Sequence, residues 1–309
     1  MSTGEFAYAM NGNRFLAAPA LSDQPFGIAG VPFDGAVTNR PGARFGPAEI
    51  RRASLMLCDG EHPLFHVTPL GLLGDHLDLR LPNACGLQEA RRHIEEQAAA
   101  LMDRHHMVFL GGDHSITLAL LRAARRRHGP LALLHFDAHC DTWTDHFGEP
   151  SGHGTWVYEA LQEGLVSAPH TVQVGIRSSG QRAAREYVQA QGGAIHTARA
   201  LRGLDGPGLQ PVIDTVLQRI GDRPCYLTLD IDCLDPAFAP GTGTPEPGGL
   251  SSSQLLTLLE GFAGLNTVAM DCVEVAPAYD HAELTSQAAA VCVWTYLCAQ
   301  VAREPAAAR

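Results

Sequence analysis

The sequence predicts an α/β protein of three layers, αβα, around a central and mostly parallel sheet. Apolar runs of strand length alternate with helix-length segments, which is the rhythm of βαβ units. Those runs are apolar at successive positions, as expected of strands covered on both faces. No internal repeat and no low-complexity linker interrupts the 309 residues, so one domain is expected over 1–309.

Strands are expected, in order, at GIAGV (27–31), LGLLG (70–74), MVFL (107–110), LALLHF (131–136), TVQVGI (171–176), CYLTLDI (225–231) and NTVAM (266–270). Helices are expected at Gly86–Arg104, Ile116–Arg127, Gln181–Gln191, Pro211–Ile220, Ser251–Phe262 and Thr285–Val301, each with the mixed period of an amphipathic or buried helix. The run Arg125–His128 before Gly129 reads as a helix C-terminus, where cations meet the exposed carbonyls and glycine allows the exit. Residues 1 to about 22 and 302–309 carry no periodic apolar face and are expected to be extended or frayed.

Composition narrows the function. The content of 45% hydrophobic and 18% charged residues excludes a disordered, collagenous or coiled-coil chain. Acidic residues outnumber basic ones by 33 to 22, a net charge of −11, and all the basic residues are arginine, which disfavours nucleic acid or an anionic membrane as partner. The eight cysteines form no CxxC pair and read as reduced thiols of a cytoplasmic protein. The opening MSTGEFAYAM lacks the features of a signal peptide, and no stretch approaches the roughly 18 apolar residues of a membrane span.

Polar clusters interrupt the apolar pattern where strands end, which is where open parallel sheets form their sites: GGDHS (111–115), DAHCD (137–141), SGHGT (151–155), DIDCLD (230–235) and DCVEVAP (271–277). In DAHCD, extended backbone would send Asp137, His139 and Asp141 to one side, and Asp230 with Asp232 repeats the spacing. Four converging carboxylates without a basic residue beside them need a cation. His114, after a strand and two glycines, adds another ligand on the same rim. Four Asp and two His balance two divalent ions, and this oxygen-rich, thiolate-free set favours Mn²⁺ over Zn²⁺. Two such ions make water nucleophilic near neutral pH, so hydrolysis is the expected chemistry. Asp235, ahead of Pro236, reads as a turn residue, His135 as a hydrogen-bonded core histidine, and Cys140 and Cys233 as packing.

GGDHS, HFDAHCDTW, LTLDIDCLDPAFAPGTGTPEPGGL and MDCVEVAPAYD resemble, in order, the signature segments of the ureohydrolase (arginase/agmatinase) family, and most closely its bacterial agmatinases, over about Gly30 to Ala299. The resemblance implies an arginase-like αβα fold, usually assembled as a homo-trimer or homo-hexamer. It implies two Mn²⁺ per chain, one held by His114, Asp137, Asp141 and Asp230, the other by Asp137, His139, Asp230 and Asp232. It further implies that Glu274 receives the substrate guanidinium and that His153 shuttles protons to the departing amine. PGARFGPAEIRRAS (41–54) resembles a family loop and helix, with a role in packing or assembly.

The expected activity is hydrolysis of agmatine to putrescine and urea; hydrolysis of a guanidino acid such as 4-guanidinobutyrate is the alternative. A single-zinc deacetylase of related fold would leave His114, Asp141 and Asp232 without a purpose, and a non-catalytic homologue would have lost a ligand or the shuttle. The resemblance implies that the loop TWTDHFGEPSG (142–152) borders the pocket mouth; holding Asp145 and Glu149 and no arginine, it would there suit an ammonium tail better than a carboxylate. Thr142, Trp143 and Asp145 are the expected substrate contacts there, with Trp143 along the methylene chain or facing the cation.

Overall fold

The computed structural model describes residues 14–57, 60–145 and 147–303. Residues 1–13 and 304–309 of the expected frayed ends, and Cys58, lie outside the described residues.

Among the described residues one sheet contains β1 (Phe26–Val31), β2 (Leu73–Asp78), β3 (His106–Gly111), β4 (Leu131–Phe136), β5 (Val166–Val174), β6 (Ala194–His196), β7 (Cys225–Asp230) and β8 (Thr267–Val273). The spatial order is β2-β1-β3-β8-β7-β4-β5-β6, and every pairing is parallel.

The helices are α1 (Gly46–Ser54), α2 (Leu87–Met102), α3 (Thr117–His128), α4 (Trp156–Gln162), α5 (Arg182–Arg185), α6 (Tyr187–Ala190), α7 (Ala198–Leu201), α8 (Gly206–Ile220), α9 (Ser252–Gly261) and α10 (Leu284–Arg303).

Alternation within the strands explains the layers. On β3, Val108 and Leu110 join one core with α1, α8, α9 and α10, while Met107 and Phe109 join another with α2, α3 and α4. On β4, Ala132, Leu134 and Phe136 face the first core, and Leu131 and Leu133 the second. Both faces are apolar because both are covered.

Several boundaries depart from expectation. The strand expected at 70–74 runs over Leu73–Asp78, an edge strand whose last three residues, His76, Leu77 and Asp78, are exposed. The segment Gln181–Gln191 is two single turns, α5 and α6, broken at Glu186 with φ −103° and ψ 7°. The short edge strand β6 and the helix α4 were not foreseen. The N-terminal expectation is corrected over residues 14–22: Phe15 and Leu16 are 0% and 3% exposed in a 3-10 turn. That turn is held by the Asp75 carboxylate, which accepts from Phe15 N at 2.8 Å, and by Ser54 Oγ, which accepts from Leu16 N at 2.7 Å. At the other end, residues 302 and 303 complete α10.

The four adjacent strands β3, β8, β7 and β4 form the middle of the sheet, and the loops leaving their carboxyl ends carry GGDHS, Glu274, DIDCLD and DAHCD.

Candidate active site

The loop after β3 approaches the one after β1 so closely that a Cβ on Gly112 would lie 1.7 Å from Phe33 O. Only glycine fits there. Asp113 then caps the 3-10 turn His114–Ile116, accepting from Ser115 N at 2.9 Å, and this turn leads into α3.

The turn aims the His114 ring into the sheet centre. His114 Nε2 is 2.8 Å from Thr228 Oγ1, whose hydroxyl donates to Asp271 Oδ1 at 2.5 Å. Thr228 Oγ1 must therefore accept from His114 Nε2–H, which leaves the other nitrogen, Nδ1, to face Asp137 Oδ2 at 3.0 Å, Asp230 Oδ2 at 3.2 Å and Asp141 Oδ2 at 3.3 Å. Buried Nδ1 makes no hydrogen bond.

A second convergence lies beside the first. His139 Nδ1 is 3.0 Å from Asp232 Oδ2 and 3.3 Å from Asp137 Oδ1, so Asp137 turns one oxygen to each histidine. All six expected ligands are thus brought together, though not by alternation along extended strands. β4 ends at Phe136, and residues 137–141 turn back on themselves with His139 N donating to Asp137 Oδ1 at 2.5 Å and Asp141 at φ +53°. Asp230 ends β7 and caps the 3-10 turn Ile231–Cys233 through Asp232 N at 2.8 Å. Short carboxylates satisfy the backbone at both strand ends, and that local bonding overrides the pleat.

Electrostatics agree with a site made for a cation. Burial and the charges of Asp232 and Asp137 push Asp230 well above the usual carboxyl range, and burial with the Asp137 charge raises Asp141. Burial also opposes ionisation of Asp137, but the neighbouring His114, His135 and His139 rings hold it well below that range. The surrounding carboxylates raise His114 and His139 well above the ordinary imidazole value against the effect of burial. The His114 Nδ1 nitrogen and the three carboxylate oxygens within 3.3 Å of it fit a metal ion, and the Asp137–His139–Asp232 group fits another. His135 can serve neither group, because Gln173 Nε2 donates to its Nδ1 at 3.0 Å and its Nε2 lies 2.8 Å from Asp137 Oδ2. It is a hydrogen-bonded core residue. Asp235 is occupied in a turn, accepting from Gly248 N at 2.6 Å and Ala237 N at 3.0 Å.

Glu274 follows β8 at φ +64°, an uncommon conformation for a residue with a side chain. Its Oε1 accepts from His114 N at 2.9 Å and lies 2.9 Å from His153 Nδ1, while its buried Oε2 has no hydrogen-bond partner among the described residues. Burial opposes charge on His153, but the bond to Glu274 and the Glu274 charge outweigh it and raise the ring to about 9.

A cavity of about 410 Å³ opens over this floor, lined among others by His114, Asp141, His139, His153, Trp143 and Asp145. Trp143 lies against Gly180, where an added Cβ would come within 3.0 Å of the indole. Thr142, also expected as a substrate contact, is buried, and its hydroxyl donates to Ala184 O at 2.6 Å. Asp145 lines the cavity while accepting from Gly148 N at 2.9 Å. Glu149 is exposed and outside the lining.

Sequence reasoning missed several contributors. Glu246 lines the cavity, 3.9 Å from His139 Nε2, and Thr38 lines it beside His153. Arg177 fixes the wall between them and β7, donating to the carbonyls of Glu246 at 3.0 Å and Asp232 at 2.8 Å. Thr228, Tyr226 and Thr117 all bond Asp271, and Trp156 Nε1 donates to Asp141 Oδ2 at 2.6 Å. The one available signal was a buried acid, Asp271, in an otherwise apolar strand.

Comparison with known proteins gives one answer. A model of the Arginase family matches residues 24–298. A curated relative from Escherichia coli O7:K1 (strain IAI39 / ExPEC), named Agmatinase, is 42% identical over 300 residues, covering 93% of this chain and 90% of the relative. The proclavaminate amidino hydrolase of Streptomyces clavuligerus superposes with a TM-score of 0.87 at 34% identity, over 94% of this chain and 97% of that one. A hypothetical agmatinase from Burkholderia thailandensis superposes with a TM-score of 0.84 at 38% identity, over 93% and 90% of the two chains.

Proposed function

Since the chain belongs to the arginase family, we propose that it hydrolyses agmatine to putrescine and urea with two bound Mn²⁺. His114, Asp137, Asp141 and Asp230 would hold one ion, and Asp137, His139, Asp230 and Asp232 the other. The bound pair would supply a nucleophilic water near neutral pH. The chain's own residues do the rest. Partnerless Glu274 Oε2 suits the planar guanidinium, which stays protonated and needs a carboxylate to orient it. Tied to Glu274 and raised to about 9, His153 holds a proton for the strongly basic leaving amine at neutral pH.

One observation carries the choice of agmatine: among the described residues, the cavity lining includes Asp145 and Glu246 and no arginine. A substrate carboxylate would meet like charge without a bidentate partner, whereas an ammonium would be attracted. Arg177 offers no alternative anchor, because its guanidinium is engaged with main-chain carbonyls. Urea release from agmatine, 4-guanidinobutyrate and arginine, compared as kcat/KM with added Mn²⁺, tests the reading. Preference for 4-guanidinobutyrate would reverse the substrate assignment.

The same reading makes the protein a cytoplasmic homo-trimer or homo-hexamer, supported by the family resemblance; among the described residues no helix is long and apolar enough to cross a membrane. Light scattering of the purified protein checks the assembly.

A further inference from the structure

We propose that the hydroxyl of Thr38 relays the proton from His153 to the departing amine, making Thr38 a catalytic residue; this rests on the shuttle reading of His153 given above. His153 Nδ1 is tied to Glu274 Oε1 at 2.9 Å, so transfer to substrate must run through Nε2. Nε2 faces Thr38, whose Oγ1 is 2.9 Å away and whose main-chain N is 3.2 Å away. Thr38 also lines the cavity. A proton leaving Nε2 therefore meets a hydroxyl that borders the substrate space.

The two contacts suit the two states of the ring. With the ring doubly protonated, Nε2–H donates to Oγ1, and the hydroxyl proton is free to point at the amine nitrogen. As the carbon–nitrogen bond of the substrate breaks, its electron pair stays on that nitrogen, which takes the proton from Oγ1. In the same event the Nε2–H bond breaks and Oγ1 takes that proton, so threonine ends unchanged. The ring is left neutral with its proton on Nδ1 toward Glu274, and the Nε2 lone pair then accepts the Thr38 main-chain N–H. A main-chain N–H cannot relay, since it donates only; a hydroxyl both donates and accepts.

Thr38→Val removes the hydroxyl and keeps the shape and the main-chain N–H; Thr38→Ser keeps the hydroxyl. Each is loaded with Mn²⁺, checked for metal content, and assayed on whichever guanidino compound the wild type turns over best. General acid–base groups contribute typically 10²–10⁴-fold, and a relay that water can partly replace contributes less, so Thr38→Val should lower kcat about 10–100-fold. KM should move less than about twofold and Thr38→Ser should restore most of kcat, as expected of a group acting on the chemical step rather than on uniform binding. In mixtures of light and heavy water, kcat should bend against deuterium fraction for the wild type and Thr38→Ser, as for two protons in flight, and become linear for Thr38→Val. A residue that only positions the ring would leave that curve unmoved. Wild-type kcat in Thr38→Val, or the same curve in both proteins, overturns the relay. Failure of the functional reading is distinguishable: the wild type itself would release no urea, and the relay would fall with it.

Discussion

The floor and the mouth of the cavity are built differently. At the floor, His114, Asp137, Asp141, Asp230 and Asp232 are at most 4% exposed, and buried hydrogen bonds to Thr228 and from His135, Trp156 and main-chain amides fix their orientation. At the mouth, Asp145 is exposed, the Glu246 side chain is 34% exposed and Phe147 is 91% exposed. A dry, over-determined floor holds charge in place and suits fixed chemistry. A wet mouth acts through screened charges and can only bias which substrate enters. Reaction type and substrate choice are thus carried by different regions, and mutations should separate them.

The largest effect is expected at the floor. Asp137→Ala and Asp230→Ala each remove a carboxylate proposed to serve both ions, so both variants should lose bound metal and fall to background activity. His114→Ala should lose one ion and keep some activity at high Mn²⁺. Metal analysis of the purified variants, with activity titrated against Mn²⁺, checks this; three variants that all retain two ions would sink the shared-carboxylate assignment. Chelation of the wild type should also lower Tm, reversibly on adding Mn²⁺, because a ligand that binds the folded state alone stabilises it.

Next comes His153→Ala, expected to retain both ions and lose 10²–10⁴-fold in kcat. Glu274→Gln should raise KM as well, since Glu274 is assigned to both the guanidinium and His153. Loss of metal from His153→Ala would break the separation between ligand and shuttle.

The contrast also explains what could be read before the fold was known. The clustering of six Asp and His residues was legible because a metal site would demand such residues in short, dense segments, and parallel sheets expose such segments at strand ends. The reason given for their convergence was wrong, since Asp141 at φ +53° and the turn at Ile231–Cys233 replace extended strand. The supporting network was not legible: Thr117, Thr228 and Tyr226 look like ordinary strand or helix positions until the sheet order brings them onto Asp271. Thr38 and Glu246 come from loops 208 residues apart, and no local pattern links them. Nor does adjacency predict direction: Thr142, beside Trp143, turns its hydroxyl to Ala184. Phe15 and Leu16 lack periodicity, yet Asp75 and Ser54 dock them.

At the mouth, Glu246→Gln should raise KM for agmatine severalfold with kcat nearly unchanged. It should also lower KM for 4-guanidinobutyrate. Opposite signs for the two substrates would show that the charge is sensed at the far end of the substrate; a parallel rise in both would show that Glu246 acts instead through His139, 3.9 Å away.

The smallest effects separate Asp145 from Glu149, two acids of one loop that composition alone makes equivalent. Asp145 lines the cavity, whereas Glu149 is exposed outside it. Asparagine at 145 can still accept from Gly148 N through its amide oxygen, so Asp145→Asn tests the charge while keeping the turn. An exposed charge acts through water, where attraction at contact distance is weak and is screened within about 8 Å at physiological salt. Asp145→Asn should therefore raise KM for agmatine about two- to fivefold at low salt, with the difference shrinking as salt is added. Glu149→Gln should leave KM unchanged at every salt concentration. If Glu149→Gln matches Asp145→Asn, the loop acts through net charge alone and proximity to the cavity is irrelevant. If Asp145→Asn has an effect that salt does not diminish, Asp145 contacts the substrate in a desolvated closed state, and the mouth is then as well built as the floor.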